Sequence, residues 1–392
     1  MTTTSRVSAT EVLEGLLVHD VDTHVAEPSD LWTSRLPKRW GDDAPHVVDD
    51  PGIIDGKLPT RSWYTGGTRI CDQHTSFVGS DYDEATARAA YDPKARLEWM
   101  DRNGVYSQVL YPNVIAFFPR SFIALDPALG IACVRAYNDF QTEFASVAPD
   151  RLIPLVNLPW WDVDASVKEI ERCHDMGHHG VNFGWDFQRI GFPALRDPHW
   201  EPILKTSEER GLSLNFHVGF NTETLDKDLE TNAQAGLDSV AFTAKFFLNN
   251  ANCITELIMG RLCDRYPKLN FVSVESGGGF VPFLIEALDW QVLNRKGFHK
   301  QYPDMLLPSE YFARQIYATF WFERSFAKLI DEYPDNFMFQ SDFPHASSLT
   351  PNQTCDFVKG PHDTIVANLS NLSPEHLAKV VHDNAARVYG LA

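Results

Sequence analysis

The chain has 392 residues, of which 44% are hydrophobic and 22% charged, an ordinary balance for a globular protein with a sizeable core. Acidic residues outnumber basic ones 53 to 34, a net charge of −19 that repels nucleic acid and anionic membrane surfaces. Six scattered cysteines with no C-x-x-C pair read as reduced thiols of a cytoplasmic protein, and neither a basic-then-apolar leader nor a run of ~18 apolar residues marks export or a membrane span.

In chain order, "LLVHDVD" (16–22) predicts a strand that leads into Asp22-Thr23-His24. Residues two apart on a strand share a face, so Asp22 and His24 project together beyond its end. The segment 25–90 is long and turn-rich, as in "YTGGTRI", and reads as a lid-like insertion. A helix over 92–104 stops at Asn103-Gly104, and the strands "SQVLYPN" (107–113) and "LIPLVNLP" (152–159) follow. A second helix, 162–177, starts at Asp162 or Asp164 and ends before Gly177. Then come the strand "HGVNF" (179–183), a helix over 199–211, the strand "LSLNFHVG" (212–219), a helix over 252–267 and the strand "NFVSVES" (270–276). A further insertion, 284–312, precedes the strands "QIYATF" (315–320) and "NFMFQSD" (336–342), and a helix over 374–390 ends the chain. Eight strands alternating with helices predict an α/β fold, a (β/α)8 TIM barrel in one domain over 1–392, with insertions after strands one and six. A doubly wound open sheet is the alternative, but no Gly-rich phosphate loop follows the first strand.

Active sites of such barrels lie at the C-terminal ends of the strands. Strand one brings Asp22 and His24 there, strand five His217, strand six Glu275 ahead of Ser276 and three glycines, and strand eight Asp342 with His345 three residues on. Singly, each has a structural explanation: a core histidine, an Asx turn at Asp342, a helix-dipole partner at Glu275. Together they form the donor set of a divalent transition metal, imidazoles and carboxylates without thiolate.

"VDTHVAEP", "MDRNGVYSQVLYPN", "PDRLIPLVNLP", "NFHVG", "VESGGGFVPFLIEALD", "SDFPH" and "NAARVYG" resemble the successive landmarks of the amidohydrolase-2 branch of the amidohydrolase superfamily. The resemblance runs from about residue 16 to the C-terminus and implies a metal-dependent TIM barrel that hydrolyses C–N, ester or C–C bonds or decarboxylates aromatic acids. Carried over by position, it puts metal ligands at Asp22, His24, His217 and Asp342. Two departures stand out: Asp22 occupies the place of the first histidine of His-x-His, and Glu275-Ser276 the place where the decarboxylases carry a histidine before the glycines. No lysine stands in "HHGVNFGWD" on strand four to bridge two ions, which favours one metal, Zn²⁺ or Fe²⁺ with Mn²⁺ as an alternative.

The reading that follows is a mononuclear metallohydrolase. A metal-activated water would cleave an amide, ester, thioester or activated C–C bond, with Asp342 as base and Glu275 or His345 positioning the substrate carbonyl or sharing in proton transfer. A metal-dependent decarboxylase of an aromatic-type acid and a non-catalytic metal- or ligand-binding barrel are the alternatives. Trp160, Trp161, Phe183, Trp185, Phe187, Trp321 and Phe322 are candidate walls of an apolar pocket for a small hydrophobic or aromatic substrate. By analogy with relatives, a homodimer is expected.

Overall fold

Eight parallel strands, each buried on both faces by its β-branched and aromatic residues, form the frame of the computed structural model, which describes residues 9–49, 61–73, 82–219, 237–352 and 357–392. They are β1 (His19–His24), β2 (Ser107–Tyr111), β3 (Leu152–Pro154, continuing as Val156–Asn157), β4 (Gly180–Asn182), β5 (Ser213–His217), β6 (Phe271–Val274), β7 (Ile316–Phe320) and β8 (Phe337–Phe339). Each pairs in parallel with the next, through registers such as His24 with Tyr111, Asn157 with Asn182 and Val274 with His217. Between β8 and β1 the ring is shut by a parallel bridge between Thr23 and Phe343. There Asp342 N–H donates to Asp22 O at 2.9 Å and His24 N–H to Phe343 O at 2.6 Å. A closed ring excludes the open doubly wound sheet.

The barrel is a packed core rather than a pore. Val21, Val109, Ile153, Leu155, Val272, Val274, Tyr317 and Met338 fill it, and Ala385, Val388 and Tyr389 of the helix Asn384–Tyr389 join the same cluster. Around the ring lie helices whose starts follow from capping chemistry. Asp92 accepts from the N–H groups of Lys94 and Ala95 at the head of Pro93–Arg102, and Asp162, not Asp164, caps Val163–Asp175 through Ala165 N. A helix of 19 residues, Pro127–Ala145, is absent from the sequence reading, although Asp126-Pro127 is a good start signal. The stretch 284–312, expected as an insertion, is largely the helical crossover itself, in Val281–Asn294 and Pro308–Gln315.

The segment after β1 contains an antiparallel sheet of His46–Asp49, Arg61–Thr65 and Thr68–Asp72. It is anchored where Trp32 packs edge-on against Trp63 and donates its indole N–H to Cys133 O at 3.1 Å. Residues 50–60 and 74–81 of that segment lie outside the described residues. Cys71, Cys133, Cys173, Cys253 and Cys263 are all buried and unbridged, while Cys355 lies outside the described residues. No helix among the described residues is long and apolar enough to cross a membrane.

Most of the aromatics expected at a pocket belong to the core instead. Trp160, Phe183 and Phe187 are buried around Trp200, with Phe187 stacked on Trp200 at 4.2 Å, and Trp161 and Trp185 pack against the same cluster. The apolar character of these side chains fits either place, and only the helix layer decides between them. Trp200→Ala is expected to lower unfolding free energy in urea by about 3–5 kcal/mol, the cost of emptying a packed aromatic site.

Candidate metal centre

The side chains of the centre reach it through local departures from regular strand geometry. In β1 the register slips between Asp20, opposite Gln108, and Thr23, opposite Leu110, so that Val21 and Asp22 together oppose Val109. Such a bulge re-aims side chains beside active sites, and here it turns Asp22 inward with His24. His217 needs no irregularity, because it pairs with the inward-facing Val274. Glu275 follows Val274 and strict alternation would point it outward. Its left-handed backbone, φ 55°, returns it to the interior, and Asp342 has φ 62°. Left-handed non-glycine residues carry strain of about 1–3 kcal/mol, tolerated where the surroundings over-determine them. The glycine of "NFHVG" is required: Gly219 has φ 90°, and a Cβ there would stand 2.8 Å from Phe246 and 2.9 Å from Phe117.

The result brings together all six residues singled out in the sequence. His24 Nε2 lies 3.0 Å from His217 Nε2. Asp22 Oδ1 is 3.6 Å from His24 Nε2 and 3.4 Å from His217 Nε2, and Asp342 Oδ1 is 3.7 Å from His24 Nε2. Glu275 Oε2 approaches His217 Nε2 at 3.4 Å. His345 stacks on His24 at 3.9 Å, with Nδ1 2.7 Å from Asp342 Oδ1 but out of line for a hydrogen bond. Asp22, His24, His217 and Asp342 are almost wholly buried.

The donor chemistry asks for a cation. Nδ1 of His24 faces Pro112 O at 3.1 Å and Nδ1 of His217 faces Val218 O at 2.6 Å. Carbonyls only accept, so each neutral ring carries its proton on Nδ1 and turns an Nε2 lone pair towards the other. Both oxygens of Asp22 and Oδ1 of Asp342 are buried without a hydrogen-bond partner among the described residues. Two lone pairs and two carboxylates facing one point repel each other unless a positive charge sits among them. Two nitrogens each about 2.1 Å from one ion stand about 3.0–3.4 Å apart for right-angle to tetrahedral geometry, which fits the observed pair. Proton affinities reflect the same demand. Burial opposes charge on His217, but Asp22 outweighs it and raises the pKa. His24 is driven well below its ordinary value by burial and by His345 and His217, while burial and the charges of Asp342 and Asp22 push Glu275 well above.

Further residues, not singled out in the sequence, hold these donors in place. The fully buried Arg96 donates to His24 O at 2.6 Å, to Gln108 Oε1 at 3.1 Å, and lies 4.5 Å over the Phe343 ring. Gln108 in turn donates to Asp20, which accepts from Ser341 N at 2.7 Å, so one network joins β1 to the loop bearing Asp342. Ser347 Oγ donates to Asp342 Oδ2 at 2.6 Å. Asn113 Nδ2 donates to Val25 O, which leaves Oδ1 to accept from His345 Nε2 at 3.0 Å. Only Asn113, at the end of a predicted strand, carried a positional hint.

The centre opens into a cavity of about 1000 Å³, on whose wall stand Glu275, His345, Trp321 and Phe322. Phe117, Phe246, Phe247 and Phe280 add to it. None of the described residues of 25–90, the segment expected to act as a lid, lines this cavity; the helix Leu237–Phe246 contributes a wall instead.

His217→Ala is expected to lose the metal, seen by elemental analysis, while retaining its circular dichroism. Arg96→Met is expected to weaken metal affinity by about 10–100-fold in chelator competition, as loss of an outer partner of a ligand does, and Arg96→Lys to recover part of it.

The amidohydrolase family profile matches residues 20–391. The γ-resorcylate decarboxylase of Rhizobium sp. (strain MTP-10005) is 24% identical over 351 residues, covering 86% of this chain and 99% of that protein. Among solved structures, an amidohydrolase from Mycobacterium avium subsp. paratuberculosis K-10 superposes with a TM-score of 0.73 at 20% identity, over 96% of this chain and 100% of that one. A dihydroxybenzoic acid decarboxylase from Polaromonas sp. JS666, with bound manganese and 2-nitroresorcinol, gives 0.64 at 18% identity, over 95% and 97%. A closed parallel barrel with a buried imidazole–carboxylate cluster at its mouth, and a profile match over nearly its full length, make this chain a member of the amidohydrolase family.

Proposed function

We propose that the protein is a metal-dependent, non-oxidative decarboxylase of aromatic acids, with one divalent cation held by Asp22, His24, His217 and Asp342 and with Mn²⁺ the first ion to test. The observation that carries this reading is the setting of the ligand cluster. It gives onto a cavity with aromatic walls, and Glu275 and His345 both touch the cluster and stand in that wall. Likeness to the Rhizobium γ-resorcylate decarboxylase along almost its whole length supports decarboxylation over the hydrolysis expected from sequence. The manganese in the Polaromonas decarboxylase supports the choice of ion.

A cation held by Asp22, His24, His217 and Asp342 would supply positive charge that favours a substrate carboxylate at the barrel mouth. The chain's own groups do the rest. Glu275, turned inward by its left-handed backbone, stands beside the cavity, where burial and the charges of Asp342 and Asp22 favour the protonated form of its carboxyl. Transfer of that proton to the ring carbon bearing the carboxylate forms a C–H bond. The bond from that carbon to the carboxylate then breaks, its electron pair restores the aromatic ring, and CO2 leaves. Glu275 regains a proton from solvent. His345, oriented by Asn113, stands across from it, and the aromatic walls exclude water and favour neutral CO2 over the carboxylate.

Hydrolysis keeps one supporting feature, the presence of Glu275-Ser276 where the decarboxylases carry a histidine, since a glutamate also serves as base to an attacking water. The two separate on one panel. Mn²⁺-loaded protein given ortho-hydroxy aromatic acids, esters and amides should release CO2 from the acids and leave the others intact. Ester or amide cleavage without CO2 would overturn the proposal. Glu275→Gln should lower kcat by about 10²–10⁴-fold, the span of a general acid, with metal content unchanged.

A further inference from the structure

The cavity is far larger than one ring needs. A void of ~150 Å³ lined by apolar side chains accepts benzene, and pockets near the top of the ~300–1,000 Å³ range enclose drug-sized ligands. This one measures about 1000 Å³. Its aromatic wall continues outward from the barrel mouth. Trp321, 2% exposed, contacts Phe247 at 5.1 Å and Phe322 at 4.9 Å, and Phe247 meets Phe322 at 6.1 Å. Beyond them the lining side chains of Phe322, Leu248 and Val240 are 47%, 54% and 70% exposed, apolar surface that a long ligand would cover.

Polar and charged groups narrow the ligand further. No Lys or Arg occurs among the described lining residues, whereas Glu275 and Glu323 do. The turn after β6 would otherwise offer an anion two successive backbone amides. Glu323 Oε1 already accepts from Gly278 N and Gly279 N, each at 2.9 Å, and a Cβ on Gly277 (φ 70°) would stand 2.9 Å from that oxygen. The cations Arg324 and Lys359 face a separate cleft that shares only Phe322 and Ser347 with this cavity.

We infer that the substrate is an aromatic acid of at least two rings, its carboxylate at the ligand cluster and its uncharged body along the Trp321–Phe247–Phe322 wall. The inference rests on the decarboxylase reading for the reacting group only. Size and charge preference come from the cavity itself. A second anionic group on the far end, such as the phosphates of a coenzyme A thioester, meets Glu323 and no cation among the described lining residues.

The test has an activity arm and a binding arm. With Mn²⁺-loaded protein, kcat/KM for 1-hydroxy-2-naphthoate should exceed that for 2-hydroxybenzoate and 2,6-dihydroxybenzoate by at least about ten-fold, the effect of burying a further ring. A second carboxylate on the distal ring should abolish the gain. Phe247→Ala should lower the naphthoate rate by a larger factor than it lowers the rate of the single-ring acids. By calorimetry, 1-nitro-2-naphthol should bind at least about ten-fold more tightly than 2-nitroresorcinol. Equal or better binding and turnover of the single-ring compounds would overturn the size inference and leave decarboxylation standing. Tight naphthol binding with no CO2 from any acid would support the size inference and sink the decarboxylase reading. Failure of the protein to bind either compound would overturn the inference.

Discussion

At the mouth of the barrel two imidazole nitrogens point lone pairs at each other across 3.0 Å, beside carboxylate oxygens that have no hydrogen-bond partner among the described residues. That confrontation is stable only around a positive charge, and the surrounding structure is arranged to keep it from relaxing. The same residues that present the donors also close the ring: Asp342 N–H bonds Asp22 O, and His24 N–H bonds Phe343 O. Spreading the donors apart would therefore open the seam of the barrel. Fold stability and site geometry are one constraint here, which is why left-handed Glu275 and Asp342 are held rather than relaxed.

The outer layer extends the same logic. A buried arginine is costly unless its donors are used, and Arg96 uses them on Ala89 O, Gln108 and the carbonyl of His24, with its face on Phe343. Burial lowers its pKa to about 9, and the Gln108–Asp20 link supplies a carboxyl at one remove. On the opposite side of the mouth, Glu323 fills the amide nest of the glycine turn with the chain's own charge. One device anchors the imidazole–carboxylate cluster, and the other leaves the glycine turn's amides already occupied by a carboxylate.

The sequence determined the frame. Eight apolar runs, with their stops and caps, foretold eight strands, each observed within two or three residues of its expected span, because both faces of a barrel strand are buried and leave an unbroken apolar signature. It also marked the positions of Asp22, His24, His217, Glu275, Asp342 and His345, each at or just past a strand end, where a barrel gathers such side chains. It did not separate wall aromatics from core aromatics: Phe187 and Trp321 look alike until the helix layer stands beside one and open space beside the other.

Tertiary structure alone decided what depends on contacts between distant segments. The slip in β1 that turns Asp22 inward has no mark in "VDTH", because a bulge is a relation between two strands. The tautomers of His24 and His217 are set by carbonyls of Pro112 and Val218, and the clamp of Arg96 on His24 spans 72 residues. Cavity size likewise follows from how Leu237–Phe246 and the loops after β6 and β7 come together. Local chemistry writes elements and ligand types into a sequence; charge balance and open volume exist only once the chain has closed on itself.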